Sequence, residues 1–556
     1  MRVMGISPFH DSSVALCTDG KIEFFAKEER LTRVKRDKHP FAAIQAALDF
    51  STDIDIATYC PPTNVDLGSN LTYLKYIEKN VCPKSKKIID LQDYHHLQHA
   101  SIAFYNSGFD ISLVIVADRN GSYVGTNARE SETVFVAQYP YDIYPIYKNF
   151  WLENAELKNQ SILDIKSFYQ NYSKILTSVS SRQGLVKTYE SATTLIGQHI
   201  LENGKTMGLS AYGKENKNFQ KLFLDYCVGN DKYFFDDYDT YGSYASHSLI
   251  LKNLYDIKFT EENYQKFADY AYQVQKQSQE ALAFLVKDSI NSTGIKNVCL
   301  SGGYALNVVA NAYLVKQFPE VNFYFEPLAD DSGTSIGGAM YTYRRETEDT
   351  TIYKLNNTFF HGKTYNVDIN GGKICNVSEI AKHLANGKSV GVFHGKAEAG
   401  PRALGHRSIL FDARNQDAKK IVNKIKKREW YRPFAGMILL EDVAEYFDLM
   451  GLKDSQHMTV NFDANKKAYK TIPGVIHIDG TCRIQTISKN DTYIYELLKD
   501  FKKITGVGAI LNTSFNLAGQ PLVETPKEAL EVLHTSDLDY LWFPEIQKLV
   551  ESKVND

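Results

Sequence analysis

The stretch HHLQHASIAFY, residues 95–105, places two histidines four positions apart. On a helix, residues four apart lie on one face, so His95 and His99 could bind the same metal ion. The apolar residues Leu97, Ile102 and Phe104 would pack that helix against a core. The pattern also fits two polar histidines beside a core, because short motifs recur by chance. The rest of the chain has to decide between these interpretations.

Two aspartates elsewhere in the chain could complete a metal site. Asp118 ends the apolar run ISLVIVAD, which has the composition of a buried strand. Asp331 lies in PLADDSGTSIGG, where a strand gives way to a helix, so its carboxylate could reach a metal at the floor of a cleft. Imidazoles and carboxylates together suit Fe(II), Mn(II) and Zn(II).

Length and composition indicate a multidomain globular protein. The chain has 556 residues, 43% hydrophobic and 23% charged, with a net charge of −3. That charge excludes a general attraction to nucleic acid, so any such contact would be local. Seven scattered cysteines without C-x-x-C spacing favour a reducing compartment over a disulfide framework or a thiolate zinc site. Without a signal-like or membrane-spanning apolar run, we expect a cytoplasmic protein that has no membrane contact.

The first 30 residues are typical of a strand, a hairpin and a further strand, with a turn at Asp19-Gly20. The loop between the first two strands holds His10, which could transfer a proton, and Ser12, whose backbone could face an anion. An incidental histidine in a polar loop is the alternative. A similar strand pattern recurs at residues 111–140. Two such halves facing each other across a nucleotide are the plan of the actin-like ATPase fold.

Glycine-containing turns supply the candidate nucleotide contacts. Residues 204–208 are predicted to form a turn after a helix that ends at Asn203-Gly204. The strand–turn–helix pattern VCLSGGYALNVVAN could aim N–H groups at phosphate, and PLADDSGTSIGG repeats it. The predicted nucleotide-binding residues are Ser12, Lys205, Gly208, Ser301, Gly302, Gly303 and Gly333.

Two aromatic stretches, residues 139–175 and 232–248, are predicted to be insertions or loops over a site. They could pack a lid or stack on a base or sugar ring. We expect the first domain to span residues 1–345, a linker to span 346–365 and a second domain to span 366–556. In the second domain, cationic residues stand beside small polar ones between apolar strands, as in a phosphate-ester pocket. This predicted basic pocket consists of Arg402, Lys426, Arg432, Arg483, Asn512 and Ser514.

Seven stretches together resemble the signature sequences of the ATP-dependent O-carbamoyltransferases. They are HHLQHASIAFY, GKTMGLSAYG, LSGGYALN, GPRALGHRSIL, REWYRPFA, H-x-DGT-x-R-x-Q and LNTSFN, and they occur in order along nearly the whole chain. The family includes the tobramycin, cephamycin and nodulation-factor carbamoyltransferases. The resemblance implies an α/β fold, with a two-lobed actin-like (ASKHA) N-terminal domain and a C-terminal α/β domain that forms carbamoyl adenylate.

The resemblance also implies a role for each group of residues. Carbamoyl phosphate would bind the basic pocket and react with ATP, carried with Mg²⁺, to give carbamoyl adenylate. The adenylate would pass to the N-terminal cleft, where a metal, iron in most of the family, is held by His95, His99, Asp118 and Asp331. An acceptor hydroxyl would attack the carbamoyl carbon with help from His10. We also expect a homodimer.

Other activities remain open at this stage. An actin-like sugar or acetate kinase would not need the basic pocket, and an idle nucleotide-binding regulator would not need both that pocket and the metal histidines. A tRNA threonylcarbamoylation enzyme should be more basic.

The acceptor is predicted from composition. The 15 prolines are about half the usual ~5% frequency, and the many Lys, Asn, Ile and Tyr residues indicate an AT-rich genome, such as that of a virus. A viral branch of the family modifies 5-hydroxymethylcytosine in DNA. We therefore expect the acceptor to be that hydroxymethyl group, with a sugar or natural-product hydroxyl as the alternative. We expect the enzyme to act in the cytoplasm of a bacterium or of a virus-infected host cell. Residues 33–38, 139–151 and 233–244 would contact the DNA.

Overall fold

The computed structural model describes the chain except for residues 62–66, 82, 85, 171–177, 181–183, 218–221, 223–257, 356–358, 370 and 553–556. The described residues form two compact units. Unit 1 comprises Met1–Glu28 and Asp37–Leu355, and unit 2 comprises Glu29–Arg36 and Asn356–Asp556. None of the helices in the described ranges is both long and apolar enough to cross a membrane.

The first sheet of unit 1 has the strand order β3-β2-β1-β4-β5. Strands β1 to β3 pair antiparallel, and β4 and β5 extend the sheet in parallel from β1. The strands are β1 (Arg2–Ser7), β2 (Ser13–Thr18), β3 (Lys21–Lys27), β4 (Ile56–Tyr59) and β5 (Lys87–Asp90).

The second sheet repeats this plan with the order β10-β9-β8-β6-β11-β12, and β7 pairs with β8. Here β6, β8 and β9 pair antiparallel, whereas β11 and β12 continue in parallel from β6. The duplicated arrangement confirms the actin-like prediction. The strands are β6 (Ile111–Ala117), β7 (Tyr123–Val124), β8 (Ala128–Gln138), β9 (Asp142–Leu152), β10 (Ser178–Ser180), β11 (Asn297–Ser301) and β12 (Asn322–Phe325).

Helices α4 (His95–Ser107) and α10 (Thr334–Thr347) pack against the sheets of unit 1 and cross each other at Gly337. A Cβ there would lie 1.9 Å from the backbone oxygen of Gln98, so only glycine permits this approach. The short helix α1 spans Glu28–Thr32. The other described helices up to residue 355 are α2 (Phe41–Phe50), α3 (Leu67–Asn80), α4 (His95–Ser107), α5 (Lys158–Gln170), α6 (Leu185–Leu195), α7 (Asn203–Ser210), α8 (Tyr264–Thr293), α9 (Val308–Gln317) and α10 (Thr334–Thr347).

Unit 2 is built on one mixed sheet with the order β13-β21-β20-β14-β15-β19-β16-β18-β17. A core around Leu410, Leu498 and Trp542 packs α11 and α14 onto it. The strands are β13 (Lys373–Ile374), β14 (Val390–Phe393), β15 (Arg407–Phe411), β16 (Ala435–Leu439), β17 (Asn461–Asp463), β18 (Thr481–Ile487), β19 (Ala509–Ser514), β20 (Tyr540–Phe543) and β21 (Lys548–Glu551). The helices are α11 (Val377–Ala385), α12 (Ala418–Lys426), α13 (Lys466–Thr471), α14 (Thr492–Thr505) and α15 (Pro526–Thr535).

Two local predictions are wrong. The predicted turn at residues 204–208 lies inside helix α7, and the Thr206 hydroxyl is bonded to that of Thr193 (2.7 Å). The predicted aromatic loop at residues 139–151 is largely strand β9, which buries Tyr147 and Phe150 in the core. The other aromatic stretch, residues 233–244, lies outside the described residues.

Candidate metal centre

Helix α4 presents His95 and His99 from its buried face. Both side chains are fully buried, and their Nε2 atoms lie 3.2 Å apart. The start of the helix is fixed from outside, because the backbone N–H of His95 donates to the Ser122 hydroxyl (3.1 Å). The helix therefore sets the spacing of the two imidazoles, and the loop after β6 fixes the position of the helix end that carries them.

Asp118 and Asp331 complete a four-residue cluster in unit 1. The His95 Nε2 atom lies 3.5 Å from Asp118 Oδ2, and His99 Nε2 lies 3.5 Å from Asp331 Oδ1. The Nε2 of His95 also lies 3.7 Å from the same Asp331 oxygen. One ligand atom from each residue lies within 4.8 Å of all the others.

These spacings suit a single transition-metal ion. Metal–ligand bonds of about 2.1 Å place neighbouring ligand atoms roughly 3.0–3.5 Å apart in octahedral or tetrahedral geometry. Two imidazoles and two carboxylates are also a donor set for Fe(II), Mn(II) or Zn(II). The residues present therefore fit the predicted metal, and its binding stays a prediction.

Backbone N–H groups support the Asp118 carboxylate. The N–H of Gly303 donates to Asp118 Oδ1 (3.1 Å), and that of Asn120 donates to Oδ2 (3.3 Å). Burial would raise the pKa of Asp118, but hydrogen bonding and the charges of His95 and His99 hold it well below its usual range. Asp118 is thus an anionic ligand in a fixed orientation.

His10 stands at the edge of this cluster, as part of a chain of charged groups. Its Nδ1 atom lies 3.4 Å from Asp331 Oδ2 and 3.6 Å from Asp11 Oδ2. Burial would lower the pKa of His10, but the carboxylates of Asp331 and Asp11 outweigh it and raise this pKa to about 9. The Nζ atom of buried Lys27 bridges Asp11 (3.2 Å) and Asp330 (3.4 Å).

Charge counting favours a divalent cation here. When His95 and His99 are neutral, as metal binding requires, the four carboxylates of Asp11, Asp118, Asp330 and Asp331 face two cations, Lys27 and His10. Like charges at this spacing repel strongly where water is excluded. A bound divalent ion would offset the excess negative charge.

The predicted nucleotide-binding residues fall into two sets. Gly302 and Gly303 adjoin Asp118, and the Ser301 hydroxyl has no partner within the described part of the chain. The others are used within the fold. The Ser12 hydroxyl donates to the Asp37 carbonyl (2.9 Å), and Lys205 Nζ bonds Gln198 (2.9 Å) and Glu202 (2.8 Å). Gly208 is buried in helix α7, and a Cβ on Gly333 would lie 2.1 Å from the Leu328 carbonyl oxygen.

Unit 2 gathers the predicted basic residues near β16 and β18. Arg483 lies on β18, and burial together with the nearby charge of Arg432 lowers its pKa to about 10. Arg428, which was not included in the predicted basic pocket, is a third member. Burial, followed by the charges of Arg432 and Arg483, holds the pKa of Arg428 well below its usual range. Glu429 lies 3.7 Å from Arg432, so the cations outnumber the carboxylate paired with them.

The other members of the predicted basic pocket form its frame. The Lys426 ammonium donates to the Ser514 carbonyl and hydroxyl and to Asn516, so it holds the loop after β19. Asn512 donates to the Ala403 carbonyl and to Gln485, both at 3.0 Å. Arg402 is half-buried beside this stretch. Arg428 also donates within the fold, from Nε to Asn423 Oδ1 (2.6 Å) and from Nη2 to the Pro433 carbonyl (3.0 Å). Direct contact with a donor therefore has most support at Arg432 and Arg483.

Two family models match the sequence. The model described as "Carbamoyltransferase N-terminus" matches residues 63–340, and "Carbamoyltransferase C-terminus" matches residues 381–548. The chain belongs to the carbamoyltransferase family. The metal-type cluster, which consists of His95, His99, Asp118 and Asp331, lies within the first matched region. The arginine cluster, which consists of Arg428, Arg432 and Arg483, lies within the second. The protein is therefore an enzyme that transfers a carbamoyl group.

The sequence of this carbamoyltransferase is similar to those of other proteins over most of its length. Nodulation protein NolNO of Sinorhizobium fredii is 27% identical over 96% of this chain and 78% of its own length. Uncharacterized protein MJ1051 of Methanocaldococcus jannaschii is 27% identical over 97% of this chain and 98% of its own. Among solved structures, full-length HypF is 16% identical with a TM-score of 0.38, covering 62% of this chain and 56% of that one.

Sequence reasoning missed Lys27 and Asp330 in this carbamoyltransferase, and it left Arg428 out of the predicted basic pocket. Lys27 was detectable as a charge at the end of the apolar strand IEFFAK. Asp330 was visible as the partner of Asp331 in a double aspartate, and Arg428 as part of the run KIKKREW. Their roles required the tertiary contacts.

We expect Lys27→Met to lower the kcat of carbamoyl transfer about tenfold to a hundredfold, with little change in the KM for carbamoyl phosphate. Without the ammonium, Asp11 and Asp330 lose their bridge, and His10 loses its fixed orientation. Lys27→Arg keeps the charge and should recover part of kcat. Steady-state kinetics of both variants measure this split, and a wild-type kcat in Lys27→Met would contradict the positioning role.

Proposed function

We propose that this carbamoyltransferase uses ATP to convert carbamoyl phosphate into carbamoyl adenylate, and then transfers the carbamoyl group to a hydroxyl. The arginine cluster in unit 2 carries the proposal. Burial and the charge of Arg432 lower the pKa values of Arg428 and Arg483, and three such cations are costly to hold together unless an anion binds them. Guanidinium groups match phosphate oxygens in geometry.

The first half-reaction belongs to unit 2 in this proposal. Arg428, Arg432 and Arg483 bind the phosphate of carbamoyl phosphate, whose cleavage by water gives carbamate and phosphate. A carbamate oxygen then attacks the α-phosphorus of ATP and displaces pyrophosphate. The product, carbamoyl adenylate, has AMP as its leaving group and is an efficient acylating agent.

The second half-reaction belongs to the cleft of unit 1. The acceptor oxygen forms a bond to the carbamoyl carbon, the bond to AMP breaks, and the hydroxyl proton passes to water, while the protonated His10 stabilises the negative charge that develops. Asp11 and Lys27 hold His10 in place for this step. A metal ion held by His95, His99, Asp118 and Asp331 would supply Lewis-acid polarisation and orient the adenylate.

Product analysis tests the proposal against its alternatives. We expect ATP to yield AMP and pyrophosphate only when carbamoyl phosphate is present. ADP would indicate a kinase, and no nucleotide turnover would indicate a regulator. Transfer of threonylcarbamoyl to tRNA would indicate the tRNA-modifying class. Each of these three results contradicts the proposal.

His10→Asn should separate the two half-reactions. We expect carbamoyl-phosphate-dependent ATP–pyrophosphate exchange near the wild-type rate, whereas acceptor carbamoylation falls about a hundredfold or more, as for loss of a group that stabilises transition-state charge. Exchange is measured with labelled pyrophosphate and transfer by mass spectrometry. Equal loss of both activities would remove His10 from the transfer step.

For the acceptor, we propose the hydroxymethyl group of 5-hydroxymethylcytosine in DNA as the first compound to test, with a sugar or natural-product hydroxyl second. The genome composition inferred from the sequence supports DNA. The predicted contact surface needs revision, because Arg33 donates to the Pro521 (3.0 Å) and Leu522 (2.6 Å) carbonyls and β9 buries most of its aromatic residues.

A panel of acceptors decides this question. The enzyme, ATP and carbamoyl phosphate are incubated with hydroxymethylcytosine DNA, the free nucleoside, glucose and an aminoglycoside, and a gain of one carbamoyl group is weighed. DNA modification that falls steeply with salt would support phosphate contacts. Turnover of the sugar or aminoglycoside without DNA turnover would assign the enzyme to small acceptors.

A further inference from the structure

A cavity of about 340 Å³ lies in unit 1 between the end of β5 and strands β8 and β9. Helix α4 contributes to both this cavity and the metal-type cluster. His95 and His99 belong to the cluster, whereas His96 and Leu97 line the cavity. None of the four cluster residues lines the cavity, so the two sites are distinct.

The inner part of the cavity is polar. Glu130 and Lys148 are buried there and form an ion pair. His96 is 1% exposed, and its Nδ1 atom is bonded to the Thr133 hydroxyl (2.7 Å). Its other ring nitrogen, Nε2, has no partner among the residues that the structure describes. That atom is covered by the surrounding protein, so the polar groups that a ligand would meet here are the Glu130 carboxylate and the Lys148 ammonium, which line the cavity.

The walls are apolar and aromatic. Leu97, Phe135, Ile143 and Tyr341 contribute to the lining. Cavities of this size, with apolar walls and a few convergent polar groups, are typical of small-molecule sites. An aromatic wall suits the face of a sugar or base ring, and hydroxyl groups on that ring can both donate and accept hydrogen bonds. A hydroxyl could therefore donate to Glu130 and accept from Lys148.

Charge restricts the ligand further. The carboxylates of Asp90, Asp93 and Glu130 line the cavity, against the cations Lys148 and Arg345. Both cations already have carboxylate neighbours, because Lys148 pairs with Glu130 and Arg345 lies 3.6 Å from Glu346. An anionic ligand would meet net repulsion and pay desolvation, whereas a neutral or amino-substituted one would not.

We propose that this cavity binds a hydroxylated ring compound without negative charge, such as a monosaccharide, an amino sugar or a nucleoside. Its occupant would contact the groups that position the metal-holding helix. Glu130 accepts a hydrogen bond from the Ser122 N–H (3.1 Å), and the Ser122 hydroxyl accepts one from the His95 N–H (3.1 Å). The cavity is thus connected to a predicted metal ligand through two hydrogen bonds.

Saturation-transfer-difference NMR on the full-length protein tests the proposal without ATP or carbamoyl phosphate, so the result does not depend on the proposed function. The probes are D-glucose, D-glucosamine, cytidine and glucose 6-phosphate. Ile143→Trp fills the cavity. Tyr144→Trp is the matched control, because Tyr144 is next to Ile143 on β9 but does not line the cavity. Circular dichroism establishes that both variants fold.

We expect saturation-transfer signals from at least one of glucose, glucosamine and cytidine. The wild type and Tyr144→Trp should give the same signals, and Ile143→Trp should lose them. Glucose 6-phosphate should bind at least about tenfold more weakly than glucose. Glu130→Gln, which keeps the side-chain shape and removes the charge, should weaken binding about fivefold. Sugar signals or cytidine signals identify which ring class is bound.

Three results would each overturn the proposal. The first is no signal from glucose, glucosamine or cytidine at millimolar concentration. The second is binding that survives in Ile143→Trp. The third is glucose 6-phosphate binding as tightly as glucose. If Ile143→Trp does not fold, unchanged affinity in Glu130→Gln serves as the contradicting outcome.

Discussion

Replacing His95 and His99 together by alanine is expected to remove the bound metal and to slow acceptor carbamoylation at least about a hundredfold. Both side chains are fully buried, and their Nε2 atoms form one side of the four-residue cluster. With only Asp118 and Asp331 left, two ligands remain for an ion that needs four or more. Lewis-acid stabilisation by a bound metal contributes several kcal/mol to a transition state, so its loss should dominate the rate.

Elemental analysis and transfer assays measure this effect in the purified double variant. Ser101→Ala is the control on the same helix, since its hydroxyl donates only within α4, to the Leu97 carbonyl (2.7 Å). That variant should keep its metal and its activity. Full metal content in the histidine double variant would show that the ligand assignment is wrong.

Arg483→Ala and Arg428→Ala are each expected to raise the KM for carbamoyl phosphate about tenfold to a hundredfold. A charge-assisted hydrogen bond contributes roughly 1.5–3 kcal/mol, and about 1.4 kcal/mol corresponds to a tenfold change. Both residues are half-buried, and burial together with the charge of Arg432 lowers their pKa values, so removing one also relieves repulsion in the free enzyme. Arg428→Ala also removes hydrogen bonds to Asn423 and to the Pro433 carbonyl, so circular dichroism is used to establish that both variants fold.

Lys427→Ala is the matched control for the arginine variants. Lys427 precedes Arg428 in the chain, but its ammonium donates to the Thr535 carbonyl (3.1 Å) at an exposed position. Its removal should leave the KM for carbamoyl phosphate unchanged. If the arginine variants behave like Lys427→Ala, the donor phosphate binds elsewhere.

The duplicated actin-like plan could be predicted because strong local signals mark its strands. The apolar runs at residues 3–6 and 111–117 and the Asp19-Gly20 turn all specify strands and hairpins by themselves. The strand order within each sheet then follows, because antiparallel hairpins form one side of the sheet and strands joined by parallel crossovers extend it. The helical spacing of His95 and His99 was a similarly local signal.

The missed site residues depend on contacts that a local pattern does not contain. The pairing of β2 with β3 shifts register between Leu16 and Cys17, so Lys27 pairs with Ser13. A regular hairpin from the same turn would have placed Ala26 there. This irregularity brings the Lys27 ammonium to Asp11 and Asp330.

Helix α7 and strand β9 show a second reason for error. Glycines at residues 204 and 208 looked like a turn, but packing against the long helix α8 stabilises helix in that segment. The tyrosines of β9 were taken for loop residues because they are only partly apolar. Pairing along β8 instead buries Tyr147 and Phe150, and aromatic residues favour strands in such a setting.

Carbamoyl-phosphate-dependent ATP–pyrophosphate exchange, measured side by side in two variants, tests most directly whether the two units divide the reaction. We expect His95→Ala/His99→Ala to retain exchange near the wild-type rate, because formation of the adenylate does not use the cluster of unit 1. Arg483→Ala should lose most exchange at low carbamoyl phosphate and recover it when the donor is raised. Loss of exchange in the histidine variant, with normal exchange in Arg483→Ala at low donor, would contradict this division of the reaction.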